Sequence, residues 1–361
     1  MKIGILTHPL RHNYGGVLQA YALSSYLMKR GHEVYMIYQD NDVTNKYKSK
    51  VKCLIGNILC KLVSNDNLPG MVKDSLLQER FDSFISNQFH YYISSTDIKE
   101  GRVSLDAIVI GSDQVWRKWG DNWNIRFYFA DFAIDKDIKI ISYAASIGAD
   151  KWLFNDEDTK IFSKYVNKYA GVSLRETDSV NIVNEALRIN SQMNVDPTLL
   201  LDIAEYKQIA INNQKVSIGL VAYILDLDKE KKEVFEELSK LYQSSVYIQS
   251  NFDEKLCNSV RPTPNKWLDI MMNAEAIVTD SFHGTAFAIN FNRPFVVLSN
   301  HFRGQSRLLS ILSLFGLESR IVNSPNEALK VMKEKIDWDK VNRMLKEERK
   351  RSDNYFAKFG I

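Results

Sequence analysis

Cysteine is nearly absent. Cys53, Cys60 and Cys257 are the only three in 361 residues, and none stands in a C-x-x-C pair. That scatter excludes a disulfide framework and a zinc site, so no metal is expected, and it points to reduced thiols in a cytosolic setting. Long hydrophobic runs are lacking as well, since no stretch approaches the roughly 18 apolar residues of a membrane span. The opening MKIGILTHPL turns polar too early for the apolar segment of a signal peptide. A soluble, cytoplasmic chain is expected. Charge of one sign is also scarce: 47 Lys and Arg against 44 Asp and Glu leave a formal net charge of +3. That balance implies no nucleic-acid partner. What is present is core-forming material, 45% hydrophobic against 25% charged, and at about 150 residues per domain the length suggests two domains.

Short apolar runs alternate with helical stretches. Residues 3–6 (IGIL) read as a buried strand, and Val17, Ala20, Leu23 and Leu27 recur at helical spacing before Gly31 ends the pattern. EVYMIY at 33–38, DAIVIGSD at 106–113, KIISYAAS at 139–146 and GVSLRE at 171–176 continue the strands. A second series runs through SIGLVAYIL (217–225), SVYIQS, AEAIVTD and PFVVLS. Two successive α/β halves with parallel sheets covered on both faces are expected. They divide as 1–200, with an insertion at about 41–100, and 201–325, followed by charged helices at 326–361 that pack back on the first half. Within the insertion, KYKSKVKCLIGNILCKLV joins lysines to an apolar patch. A helix with solvated lysines and a surface that leans on anionic lipid are both open readings of it.

Ligands of open α/β sheets bind beyond the carboxyl ends of the strands, so the residues after each apolar run are the informative ones. After the first strand, Asn13, Tyr14, Gly15 and Gly16 precede a helix, where glycine permits close approach to an anion or a sugar hydroxyl. The stretch lacks the G-x-G-x-x-G spacing of a dinucleotide site. GSDQVW offers Asp113 and Gln114 to bond hydroxyls and Trp116 to stack on a sugar face. An alternative is that Asp113 caps the next helix. Arg175, in SLRE, either forms half of an ion pair or grips a carboxylate or phosphate. VTDSFHG places His283 before a helix whose first amides, near Gly284 to Ala286, are expected to be free for a phosphate. Downstream, HFRGQSR adds Arg303 and Arg307.

These stretches in series resemble the polysaccharide pyruvyl transferase family. The likeness rests on NYGGVLQAYAL (13–23), IGSDQVW (110–116), SYAASIG (142–148), VSLRE (172–176), VDPTLLL (195–201) and VTDSFHGTAFAINFNRPFVV (278–297). It implies two Rossmann-like domains facing a cleft, as in the GT-B glycosyltransferases. It also implies transfer of the enolpyruvyl unit of phosphoenolpyruvate to two hydroxyls of one sugar, giving a pyruvate ketal and phosphate. The acceptor would belong to a lipid-linked oligosaccharide or cell-surface polysaccharide, with contact at the inner membrane face, and no cofactor beyond phosphoenolpyruvate as co-substrate. By the family pattern His283 is the catalytic histidine and Arg175 binds the donor. With them, Ser281, Gly284, Thr285, Arg303 and Arg307 are expected on the donor side, Asp280 to orient the imidazole and Asp113 as partner base. Asn13, Tyr14, Gly15, Gly16, Gln114 and Trp116 are expected on the acceptor side. Arg117 stands where asparagine is the more frequent, and Arg11-His12 stand where glycine is frequent; both departures bear on acceptor choice. A glycosyltransferase using a sugar nucleotide and a noncatalytic carbohydrate-binding relative are the competing readings.

Overall fold

The computed structural model describes residues 1–40, 70–120, 124–211, 217–249, 259–300 and 305–361. The lysine-rich segment 46–63, Arg303 and all three cysteines lie outside them.

Two all-parallel sheets form the frame. The first contains β1 (Lys2–Leu6), β2 (Glu33–Tyr38), β3 (Tyr92–Ser94), β4 (Ala107–Ile110) and β5 (Lys139–Ser142) in the order β3-β2-β1-β4-β5. A short pair, β6 (Ser173–Leu174) and β7 (Gln192–Met193), continues this edge through isolated bridges such as Ala145 to Leu174. The second contains β8 (Ile218–Ile224), β9 (Ser245–Gln249), β10 (Ser259–Val260), β11 (Ala274–Thr279), β12 (Phe295–Leu298) and β13 (Ile321–Val322), ordered β10-β9-β8-β11-β12-β13. Central strands such as AIVI and IGLVAYI are buried almost throughout, as strands covered by helices on both faces must be. The expected GT-B-like arrangement of two Rossmann-like halves is the one observed. Within the stretch read as an insertion, Gly70–Gln88 is helical, and β3 adds an edge strand that the sequence reading did not place.

Each sheet reverses its winding beside its first strand. The crevices therefore open at the carboxyl ends of β1 and β4 in one half, and of β8 and β11 in the other.

Apolar packing joins the halves instead of leaving a polar hinge. One cluster runs from Val17 and Leu23 of the helix Tyr14–Lys29, through Leu199, to Trp267, Phe287 and Phe356. Tyr14 stacks on Trp267, with ring centroids 5.5 Å apart, and donates its hydroxyl to the Pro262 carbonyl at 2.6 Å. The last helix, Trp338–Lys358, lies across the first half: the Tyr355 hydroxyl donates to the Ser142 carbonyl at 2.7 Å, and Phe356 packs on Tyr26 and Tyr143.

Candidate active site

Both crevices open into one cavity of about 300 Å³. His12, Asn13 and Tyr14 reach it from beyond β1, Asp113 and Gln114 from beyond β4, and Leu225 from beyond β8. Asp280, Ser281 and His283 follow β11, and Asn300 and Arg307 complete the second half's wall.

The opening of the helix Phe282–Asn290 explains the spelling of TDSFHGT. Ser281 is its N-cap and accepts the Gly284 amide at 3.3 Å, while the Thr285 amide and hydroxyl both donate to the Ser281 carbonyl at 3.0 Å. The amides expected to await a phosphate at Gly284 and Thr285 are therefore already used. Gly284 is required because a Cβ there would lie 2.2 Å from Thr279 Oγ1. With the turn fixed in this way, His283 projects across to the other half and rests on Gly15, where a Cβ would come within 2.0 Å of its Nδ1. Such a distance demands movement of the ring. Gly15→Ala is therefore expected to displace the imidazole and lower turnover at least about 10²-fold, since a misplacement of about 1 Å can cost that much; steady-state kinetics checks it.

The carboxylate beside the imidazole is Asp196, not Asp280. Asp196 Oδ2 lies 3.6 Å from His283 Nε2, beyond hydrogen-bond length, so the contact is electrostatic. The same oxygen accepts Ser112 Oγ at 3.0 Å and Arg175 Nη1 at 3.0 Å, while Oδ1 accepts the Thr198 amide at 3.0 Å and hydroxyl at 2.8 Å. Burial alone would raise this carboxyl, but His283 and then Arg175 outweigh it and hold it far below its usual range. Asp280 is occupied elsewhere: it accepts the Leu225 amide at 2.6 Å, Lys231 Nζ at 2.8 Å and Asn300 Nδ2 at 2.9 Å, which tie the β8 and β12 loops together.

Arg175 is buried and does not line the cavity. Its guanidinium meets Glu176 at 2.9 Å, Asp196 at 3.0 Å and Asp113 at 3.5 Å, and lies 4.0 Å over the Phe282 ring. Burial disfavours its charge, but Glu176, Asp196 and Asp113 more than compensate and make proton loss harder still. The ion-pair reading of this arginine is the one seen here: it orders the carboxylates behind the site. Among the described residues the arginine that faces the cavity is Arg307, brought down to about 10 by burial and then by Arg175. An anion in the cavity would relieve that penalty.

Asp113 reaches the cavity from a left-handed backbone, φ 73°, a conformation that aspartate tolerates better than most residues. Burial would raise its carboxyl, but Arg175, His283 and His8 keep it below normal, so it stays ionised. Gln114 also lines the cavity, its Oε1 accepting Arg117 Nη1 at 2.6 Å. Asn13 is an N-cap, accepting the Gly16 amide at 3.1 Å. Trp116 departs from expectation. It is fully buried, stacked on Phe129 at 5.0 Å with its indole N–H donating to the Tyr128 carbonyl at 3.0 Å, so it is a core residue and offers no face to a sugar.

Asp196 and His8 were missed by the sequence reading. Asp196 sat in plain view within V-D-P-T-L-L-L, where a carboxylate inside an apolar run signals a buried partner. His8 follows β1 directly; its ring is near Asp113, and burial lowers its pKa although Asp113 opposes. Among the described residues no group of His, Cys, Asp and Glu is arranged to hold a metal, and no helix is long and apolar enough to cross a membrane.

The polysaccharide pyruvyl transferase family model matches residues 13–301. No curated protein matches the chain. Among solved structures, the UDP-GlcNAc 2-epimerase from Methanocaldococcus jannaschii is similar at a TM-score of 0.52 and 13% identity, over 94% of this chain and 95% of that one. A glycotransferase of kitacinnamycin gives 0.53 at 12% identity, covering 99% and 98%. S. aureus MnaA, in a co-structure with UDP, gives 0.51 at 12% identity, covering 99% and 97%. At such identities the likeness is one of fold.

Proposed function

Since the chain belongs to the polysaccharide pyruvyl transferase family, we propose that the cavity holds phosphoenolpyruvate beside a sugar acceptor carried on a lipid-linked oligosaccharide or a cell-surface polymer. The observation that carries this reading is the convergence of both sheet crevices on one cavity. There His283 from one half and Asp113 from the other face the same space, beside a buried arginine.

The donor is a small polyanion, and Arg307 is the cation that reaches it among the described residues of the lining. Protonation of the donor's methylene carbon creates an oxocarbenium-like centre at the adjoining carbon. One acceptor hydroxyl attacks that centre, the bond to the phosphate oxygen breaks, and a second hydroxyl closes the ketal. Of the two hydroxyl protons released, one balances the proton taken by carbon and the other leaves with phosphate. His283 handles a proton in this sequence, because it faces the cavity opposite Asp113 and imidazole is a common general acid and base. Asp196 stabilises positive charge on the ring from behind. Asp113, ionised and across the cavity, is placed to receive a hydroxyl proton, though a depressed carboxyl makes a weak base. The reaction requires exclusion of water, which would otherwise capture the activated pyruvyl group.

Thermal unfolding with phosphoenolpyruvate tests the donor. At about 100 times its dissociation constant a ligand adds roughly 2.7 kcal/mol, and the midpoint should rise by several degrees. Arg307→Ala should remove that rise, and it is a cleaner probe than Arg175, whose loss would strand three carboxylates in the interior. A rise with a UDP-sugar alone would favour the glycosyltransferase reading and sink this one.

A further inference from the structure

Beyond the main cavity, the loop that follows β4 leads to a second one. Gln114 lines the main cavity, Arg117 donates to it at 2.6 Å, and the Arg117 guanidinium lies 4.2 Å over the ring of Trp119. Gly148, in the left-handed region at φ +60°, makes room for this chain of contacts: a Cβ there would lie 2.5 Å from Gln114 Oε1 and 2.8 Å from Arg117 Cδ. Trp119 is 43% exposed, the one tryptophan among the described residues that counts as an exposed large apolar group. It borders a cavity of about 270 Å³ together with Lys118, Arg126, Asn124, Asn155 and Asp158.

An exposed indole costs free energy unless something covers it, and its flat face with amide and charged neighbours suits a sugar ring. Among the described residues of the lining the cations Lys118 and Arg126 outnumber the carboxylate Asp158, 3.8 Å from Arg126, and Arg117 lies beside the cavity. We infer that this cavity is an acceptor subsite that binds an acidic sugar unit neighbouring the one in the main cavity, with Trp119 as its platform. Identifying it with the acceptor rests on the pyruvyl-transfer reading; the binding of an acidic saccharide does not. The platform role expected of Trp116 thus passes to a residue three positions later, and Arg117 couples the two cavities.

The test is calorimetric titration of the whole chain with a glucuronic acid–N-acetylglucosamine disaccharide, with the neutral N-acetylchitobiose, and with inorganic phosphate. The acidic disaccharide should bind more tightly than the neutral one and resist competition by phosphate. Trp119→Ala should weaken it about tenfold or more, the usual cost of truncating an aromatic anchor. Arg126→Ala should weaken the acidic ligand alone, and added salt should do likewise. Unchanged affinity in Trp119→Ala, no preference for the acidic disaccharide, or no binding by the unaltered chain would each overturn the subsite. The rise in unfolding midpoint with phosphoenolpyruvate should survive in both variants. Its absence from the unaltered chain would remove the donor assignment and leave the saccharide result standing.

Discussion

His283→Gln should lower turnover by about 10²–10⁴-fold, the range typical for losing a positioned acid-base group, while the unfolding-midpoint rise with phosphoenolpyruvate largely persists. Glutamine is close in length and neutral, so the packing against Gly15 and the Ser281-capped turn are preserved. What disappears is the imidazole proposed to move the proton. Phosphate release in a single turnover separates the step from donor binding. If the variant lost donor binding to the same degree as turnover, His283 would be a ligand for the anion and the proton transfer would have to be sought at Asp113 or His8.

Asp196→Ala should destabilise the fold by about 3–5 kcal/mol, because removing one member of a buried ion-pair cluster leaves its partners uncompensated. Arg175 would keep Glu176 and Asp113 but lose its contact at 3.0 Å, and the Thr198 amide would lose its acceptor. Asp196→Asn, which retains an oxygen for Thr198, should unfold at a temperature closer to that of the unaltered chain and yet turn over more slowly. The charge beside His283, not the shape, is what the asparagine removes. The pH dependence follows from the direction of the shifts. Asp196 and Asp113 are held below the ordinary carboxyl value, about 3.9 for aspartate. Their contribution to stability is thus complete above about pH 5 and is lost as acid protonates them. Unfolding midpoints at pH 7 and pH 4 should differ less for Asp196→Asn than for the unaltered chain. An equal drop in both would show that other carboxyls govern the acid response.

The elements of the fold were legible because their signals are local. Runs such as AIVI and IGLVAYI declare buried parallel strands by composition alone. Asn13 and Ser281 announce helix starts through side chains that bond amides three residues on. Position was legible too, since ligand-facing residues follow the strands that flank each reversal of winding. His283, Asp113 and Gln114 came from that rule and Arg307 from the basic stretch downstream, and the structure brings all four to one cavity. Direction was not. Trp116 and Trp119 are chemically alike and three residues apart, yet one is stacked on Phe129 and the other is exposed, because the turn after Asp113 decides which side meets the core.

Pairing across the chain was equally beyond local reading. Asp280 is three residues from His283 and Asp196 is 87 positions away by their numbering, yet the distant carboxylate is the imidazole's neighbour. The amino-acid sequence by itself determined the family, the two parallel sheets and the positions from which chemistry could come, because periodicity, caps and strand ends are properties of neighbouring residues. Only the tertiary structure decided which carboxylate serves the histidine, which arginine faces the cavity and which tryptophan stays exposed. Those outcomes depend on charges and faces brought together from both halves, where burial makes each pairing compulsory.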